Sequence, residues 1–294
     1  MNCDAGHPIR GKYWRYENGV VLCDGHNSSL PRCARCGVPS GRLVRRPGFS
    51  VCADCADRLP RCAACRAPTL RSWSMPDRPE RSYCERCIRG RGACDFCSHP
   101  VGTGGAELSD GRFACAPCRR DLVRDPEAIA RVFDVVKSGV HRFCGIRADS
   151  SLALHVVPPA EMALVAGSVF APTHALDTRP LGLFTIRGGK RAIYVEDRLP
   201  KSIAITTLAH EYGHAWQYEL GAIQPIPVLL EGFAELVAHK IARHGRLLDE
   251  CRRISHRRDL YGAGYRIVAG LESKAGRTGM VATVKDRLLN GLRG

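Results

Sequence analysis

The chain has 294 residues, 45% of them apolar, and a formal net charge of +15. That content suffices for two domains with at least one real core, and no apolar run approaches the roughly 20 residues that span a bilayer. Met1 to Trp14 is polar and charged, not the pattern of a secretory signal, so a soluble, cytoplasmic protein is expected.

Sixteen cysteines in such a chain argue for metal rather than disulfides. Fourteen fall before residue 119, and they form a repeat. Cys33-x2-Cys36 pairs with Cys52-x2-Cys55 across 15 residues, Cys62-x2-Cys65 with Cys84-x2-Cys87 across 18, and Cys94-x2-Cys97 with Cys115-x2-Cys118 across 17. Six residues separate consecutive units. The same step backward gives Cys23-x2-His26, and 15 residues earlier Cys3-x3-His7, a unit that departs in its x3 spacing and two histidines. Each Cys-x2-Cys turn supplies two ligands to a tetrahedral zinc, and two turns close the site. Three to four structural zinc ions are expected, holding modules too poor in large apolar residues to fold alone. Cys144 and Cys251 read as ordinary thiols.

The charge invites a nucleic-acid reading, which the thiolates discount. Residues 1–124 hold 21 Lys/Arg and 12 Asp/Glu, a formal +9. Each zinc tetrathiolate carries −2, so three bring the segment to about +3. The densest basic stretch is Arg243–Arg258. Nucleic-acid binding is the weakest of the readings carried here, and partner binding by the zinc modules is favoured over a purely structural array.

Asp121–Pro126 is the expected boundary between a zinc-binding region, 1–120, and a second domain, 121–294. That domain should open with a helix near Pro126–Phe143 and a strand near Leu152–Val157. The run from Leu181 to Val195 holds two β-rich stretches around Gly188-Gly189, which suits a hairpin with a tight primed turn. An edge strand there could pair with an extended peptide, or merely cover the core. A buried helix from Ser202 to Leu220 follows, stopped by Gly221. Pro225 and Pro227 suit the start of a second helix over Val228–Ala242, ended by Gly245, and a helical C-terminal region completes the α+β chain.

The first of these two helices carries His210-Glu211-Tyr212-Gly213-His214, an H-E-x-x-H sequence. Four residues turn a helix by about 400°, so both imidazoles share one face and can hold one zinc. Glu211 can act as general base on the bound water. Catalytic zinc takes three protein ligands and keeps one position open. Glu231 opens the second helix and Glu235 lies a turn further along the same face. Glu231 is assigned as third ligand and Glu235 as the carboxylate that orients a histidine; the exchanged assignment stays open. Tyr261 and Tyr265 are the candidate donors to an oxyanion. His239 reads as a core histidine.

An array of Cys-x2-Cys turns before an H-E-x-x-H domain resembles the LIM-domain peptidases of plants that limit organ size and are activated by ubiquitin. The resemblance covers residues 150–270. It rests on Thr178-Arg179, Leu181-Gly-Leu183, Leu199-Pro200, Leu208-Ala-His-Glu-x-x-His-Ala-Trp216, Glu231-Gly232, Ala238-His239, Tyr261-Gly-x-Gly264 and Arg266. It implies LIM-like zinc-ribbon hairpins, then a mostly helical zinc endopeptidase acting on protein substrates. His210 and His214 would be its ligands, Glu211 its base, and Tyr261 the tyrosine singled out. Glu231-Gly-Phe-Ala is also similar to the third-ligand stretch of gluzincin aminopeptidases, which favours Glu231. The chain departs from the plant pattern in its six-residue links, in Glu235 where the plants have an amide, and in showing no acidic ubiquitin-interacting helix. Ubiquitin activation is therefore not expected, and the Arg-rich, Lys-poor composition suits a bacterial relative. The competing class is a scaffold whose peptidase domain is masked or inactive; an intact Glu211 argues against it, because a structural site needs no base.

Overall fold

The computed structural model describes residues 1–90, 92–148, 151–167, 180–220 and 226–290. Thr178-Arg179, Gly221 and Pro225 lie outside the described residues.

Four small modules repeat one plan: a cysteine turn, a two-stranded hairpin, and a short helix that starts at the next cysteine. Their elements are β1 (Tyr13–Arg15), β2 (Val21–Cys23) and α1 (Asp24–Ser29), then β3 (Val44–Arg46), β4 (Phe49–Val51) and α2 (Ala53–Asp57). The next two modules hold β5 (Trp73–Met75), β6 (Arg78–Tyr83) and α3 (Glu85–Arg89), and β7 (Ala106–Glu107), β8 (Phe113–Ala114) and α4 (Ala116–Arg120). The turns are closed alike. Gly37, Arg66 and Ser98 take φ of 73°, 63° and 59°. Each donates its amide to the carbonyl of the cysteine four residues before, at 2.8–2.9 Å.

The chain forms two compact units: Met1–Ser74 with Glu80–Arg91, and Met75–Pro79 with Gly92–Gly294. The fourth module therefore belongs with the C-terminal helices, and the expected boundary at 120/121 falls inside the second unit. The reason is a shared core. Phe96, Val101 and Ala114 of that module are buried in one cluster with Ile129, Phe133, Ile193 and Leu199.

The second unit continues with α5 (Pro126–Cys144), β9 (Ala153–Val157), α6 (Pro159–Ala166), β10 (Gly182–Arg187) and β11 (Lys190–Glu196). It ends with α7 (Lys201–Glu219), α8 (Pro227–His244), α9 (Leu248–His256) and α10 (Leu260–Asn290), the last broken at Gly276. Asp125 caps α5 by accepting the Glu127 amide, and Gly145 ends it in the left-handed region. Its buried Ile129, Phe133, Val136, Val140 and Cys144 follow helical spacing. α6, opened by Pro158-Pro159, was not expected from the sequence. The hairpin forms as predicted: Gly182 pairs with Val195 through to Arg187 with Lys190. Gly188 and Gly189 supply the two positive φ values, 55° and 76°, that a primed turn requires. β9 adds parallel to β11, giving the order β10-β11-β9, with β10 at an edge among the described residues. The chain is thus mixed α+β with small sheets and several cysteine clusters.

α7 is buried nearly all round, with Ile203, Ala204, Leu208, Ala209, Tyr212, Ala215 and Trp216 all inside, as befits a helix enclosed by neighbours. α8 lies along it, and Trp216 stacks on Phe233 with ring centroids 5.0 Å apart. α10 crosses α8 where Gly232 and Gly264 meet. A Cβ on Gly232 would stand 2.3 Å from the Gly264 backbone, and one on Gly264 would stand 2.1 Å from the Val228 carbonyl. Only glycine at both positions lets the helices approach so closely.

Candidate metal centres

The cysteine repeat folds into separate clusters. Cys33, Cys36, Cys52 and Cys55 form one, Cys62, Cys65, Cys84 and Cys87 a second, and Cys94, Cys97, Cys115 and Cys118 a third. In each, the sulfurs lie within 4.8 Å of one another. Across the paired turns the Sγ–Sγ distances are 3.9 Å for Cys36–Cys52 and 3.7 Å for Cys65–Cys84 and Cys97–Cys115. Zinc–sulfur bonds of ~2.3 Å at tetrahedral angles demand about 3.8 Å, so all three groups could hold a metal ion such as zinc. The geometry also favours thiolate. Burial opposes ionisation of Cys33, but the backbone amides of Cys36, Cys52 and Arg35 override it and bring its pKa down to about 6. The same balance takes Cys62 down to about 7. Cys55, in the Cys33 cluster, rises to about 12, since burial and three nearby sulfurs oppose a further charge. Only a cation lets all four sulfurs ionise together.

The first module is less complete. Cys3, Cys23 and His26 converge, both sulfurs 3.3 Å from His26 Nδ1. The fourth predicted ligand, His7, is not in this group; its exposed ring lies beside His26 with centroids 4.3 Å apart. The other modules take their second ligand three residues after the first, inside the turn. His7 comes four residues after Cys3, where its carbonyl accepts the Cys3 amide.

A fifth cluster lies between α7 and α8. His210 Nε2 is 3.0 Å from His214 Nε2 and 3.2 Å from Glu231 Oε2, which is 3.4 Å from His214 Nε2. Glu231 Oε2 is buried and has no hydrogen-bond partner. Three lone-pair donors converging on one point, one of them an orphaned carboxylate oxygen, suit a cation. Burial pushes the His214 pKa down, but the adjoining Glu231 carboxylate outweighs it and lifts it to about 9. Burial pushes Glu231 up, yet the two imidazoles hold it well below the usual carboxylate range.

Around these three stand the remaining candidates. Glu211 is buried beside them and accepts the Phe184 amide of β10 at 2.7 Å. Glu235, also buried, has Oε1 3.8 Å from His210 Nδ1, beyond hydrogen-bond range. The Tyr261 ring lies 5.9 Å from that of His210. Tyr265 instead faces His239, 4.9 Å away, in a separate cavity between α8 and α10. Cys144 is buried in the core, and Cys251 is half-buried on α9.

Three groups at the site were missed from sequence. Gln217 Oε1 accepts from His214 Nδ1 at 2.9 Å, and its Nε2 donates to the Leu230 carbonyl at 3.0 Å. Its place three residues after His214 was the available signal. The Phe184 amide and Arg257 arrive only through tertiary structure. No family model matches the chain, and a search of the curated proteins finds no match.

Proposed function

We propose that this protein is a zinc-dependent peptidase, and that the observation carrying this is the convergence of His210, His214 and the orphaned Glu231 oxygen beside Glu211. Zinc bound there would polarise a scissile carbonyl and bring its water's pKa near neutrality. His210, His214 and Glu231 would be its ligands. Glu211 would take the proton from the attacking water and deliver it to the leaving amine. The Phe184 amide holds one of its oxygens, so the other is directed by a fixed contact. Tyr261, whose ring lies 5.9 Å from that of His210, would donate to the developing oxyanion. Strand β10, which touches Glu211 and lies at an edge among the described residues, would be the strand beside which an extended protein substrate lies in an endopeptidase. Among the described residues no helix is long and apolar enough to cross a membrane. Sixteen cysteines, none of them in a disulfide, fit a reducing, cytoplasmic setting. The likeness to the plant LIM-domain peptidases supports the same reading through the residues quoted above, with the four-cysteine modules as sites for a protein partner and ubiquitin unneeded.

The test is cleavage of a complex peptide mixture read by mass spectrometry, wild type against Glu211→Gln. Fragments made by the wild type alone are expected, with zinc retained in the variant. Identical spectra from the two proteins would reject the reading and leave the zinc modules as the functional part.

A further inference from the structure

Arg257, at the end of α9, is in contact with both residues whose roles the motif leaves undefined. Its Nη1 is 3.6 Å from Glu235 Oε1, the oxygen that faces His210. Its guanidinium carbon lies over the Tyr261 ring, 4.4 Å from the centroid. Its remaining nitrogens fork onto Asp259, Nη2 donating to Oδ2 at 2.5 Å and Nε to Oδ1 at 3.1 Å. Asp259 in turn accepts the Gly262 amide at 3.0 Å. The backbone closes over this group: a Cβ on Gly262 would stand 2.1 Å from the Arg257 carbonyl. The arginine carbonyl also accepts from Arg266 Nη1 at 2.8 Å. One planar cation thus has a face on a tyrosine, an edge on a carboxylate, and a second edge locked by a local acid.

We propose that Arg257 is a positioning residue of the hydrolytic site, holding the Tyr261 ring beside His210 and the Glu235 carboxylate behind it. This rests on the peptidase reading. A guanidinium over an aromatic face, with both edges held by carboxylates, fixes ring and carboxylate in one geometry. Loss of the arginine removes the cation from the Tyr261 ring face and leaves buried Glu235 without this charge partner. Its described contacts are with Glu235, Tyr261 and Asp259, so it acts through its neighbours. Lysine would restore the charge but neither the stacked plane nor the fork.

The experiment uses the full-length, zinc-loaded protein with Arg257→Gln and Arg257→Lys. Turnover is read on a peptide that the wild type cleaves, alongside zinc content. Arg257→Gln is expected to lower kcat about 10- to 100-fold at little-changed KM, with Arg257→Lys in between, as for other residues that orient metal-site groups. Unchanged kcat would overturn the proposal. So would a loss explained by missing zinc or a smaller folded fraction, the mark of a merely structural residue. If the wild type itself cleaves nothing, the peptidase reading fails first, and the clamp is decided by the fluorine NMR shift of a fluorotyrosine at 261. A shift moved by Arg257→Gln and partly restored by Arg257→Lys supports it; an unmoved shift overturns it.

Discussion

Gln217 shows what a single side chain does at this site. It is buried, joins His214 Nδ1 to the Leu230 carbonyl, and so sets which ring nitrogen faces Glu231. Gln217→Leu should weaken zinc binding at the His–His–Glu group about 10-fold or more while the four-cysteine sites keep theirs, read by chelator competition. Glu231→Gln should remove one zinc equivalent from metal analysis and no more. The shifted His214 makes a pH prediction for protein stripped of that zinc alone by a weak chelator. A raised folded pKa means the contribution is complete below the ordinary imidazole value of 6.5 and lost as pH rises through about 9. Melting temperature should therefore fall across that window in the stripped protein. Zinc replaces the proton, so the loaded protein should lack this decline. Glu231, held low by the same pair, loses its contribution in the opposite direction, as pH falls below the carboxylate range.

At the scale of elements, the site depends on how closely three helices approach. The H-E-x-x-H spacing puts both imidazoles on one face of α7 whatever surrounds it. Glu231 meets them only because α8 lies along α7, and Tyr261 only because α10 crosses α8 at Gly232 and Gly264. Gly264→Ala forces its Cβ against the Val228 carbonyl. It should destabilise the protein by about 1–3 kcal/mol, seen as a lowered melting temperature, and reduce turnover in the fraction still folded. The cysteine turns make a converse case. Ser98 holds φ of 59° where Gly37 does the same work at no cost. Ser98→Gly should relieve about 1 kcal/mol of that strain, partly offset by added freedom in the unfolded chain.

Across the whole molecule the four cysteine modules are not equivalent. The sulfurs of the fourth are all on buried cysteines, whereas the second and third keep exposed or half-buried ones. Buried Arg112 donates from Nη1 to the fully buried Glu196 at 3.0 Å and to the Asp197 carbonyl at 3.1 Å. The Val123 amide reaches the Leu199 carbonyl, and the Lys201 amide reaches that of Asp121. These contacts fasten the fourth module to the residues that lead directly into α7. Cys97→Ser should therefore raise hydrogen exchange along α7 and lower the stability of the second unit, whereas Cys65→Ser should leave α7 protection unchanged. Arg112→Met, which strands Glu196 as a buried charge without its arginine, should cost about 3–5 kcal/mol in denaturant unfolding.

Local periodicity accounts for what could be read in advance. The Cys-x2-Cys turns, the shared face of His210 and His214, the Gly188-Gly189 hairpin and the helices expected near 126–143 and 228–242 all follow from spacings of two to four residues. Such spacings act through the backbone's own geometry, so the sequence by itself determined them. It did not determine that β9 joins β11 in parallel, that the unit boundary precedes the fourth module, or that His7 stays outside its cluster. Nor did it place the Phe184 amide on Glu211 or Arg257 between Glu235 and Tyr261. Those depend on which buried surfaces meet across tens of residues and on where a buried charge finds its partner, and only the tertiary structure decided them.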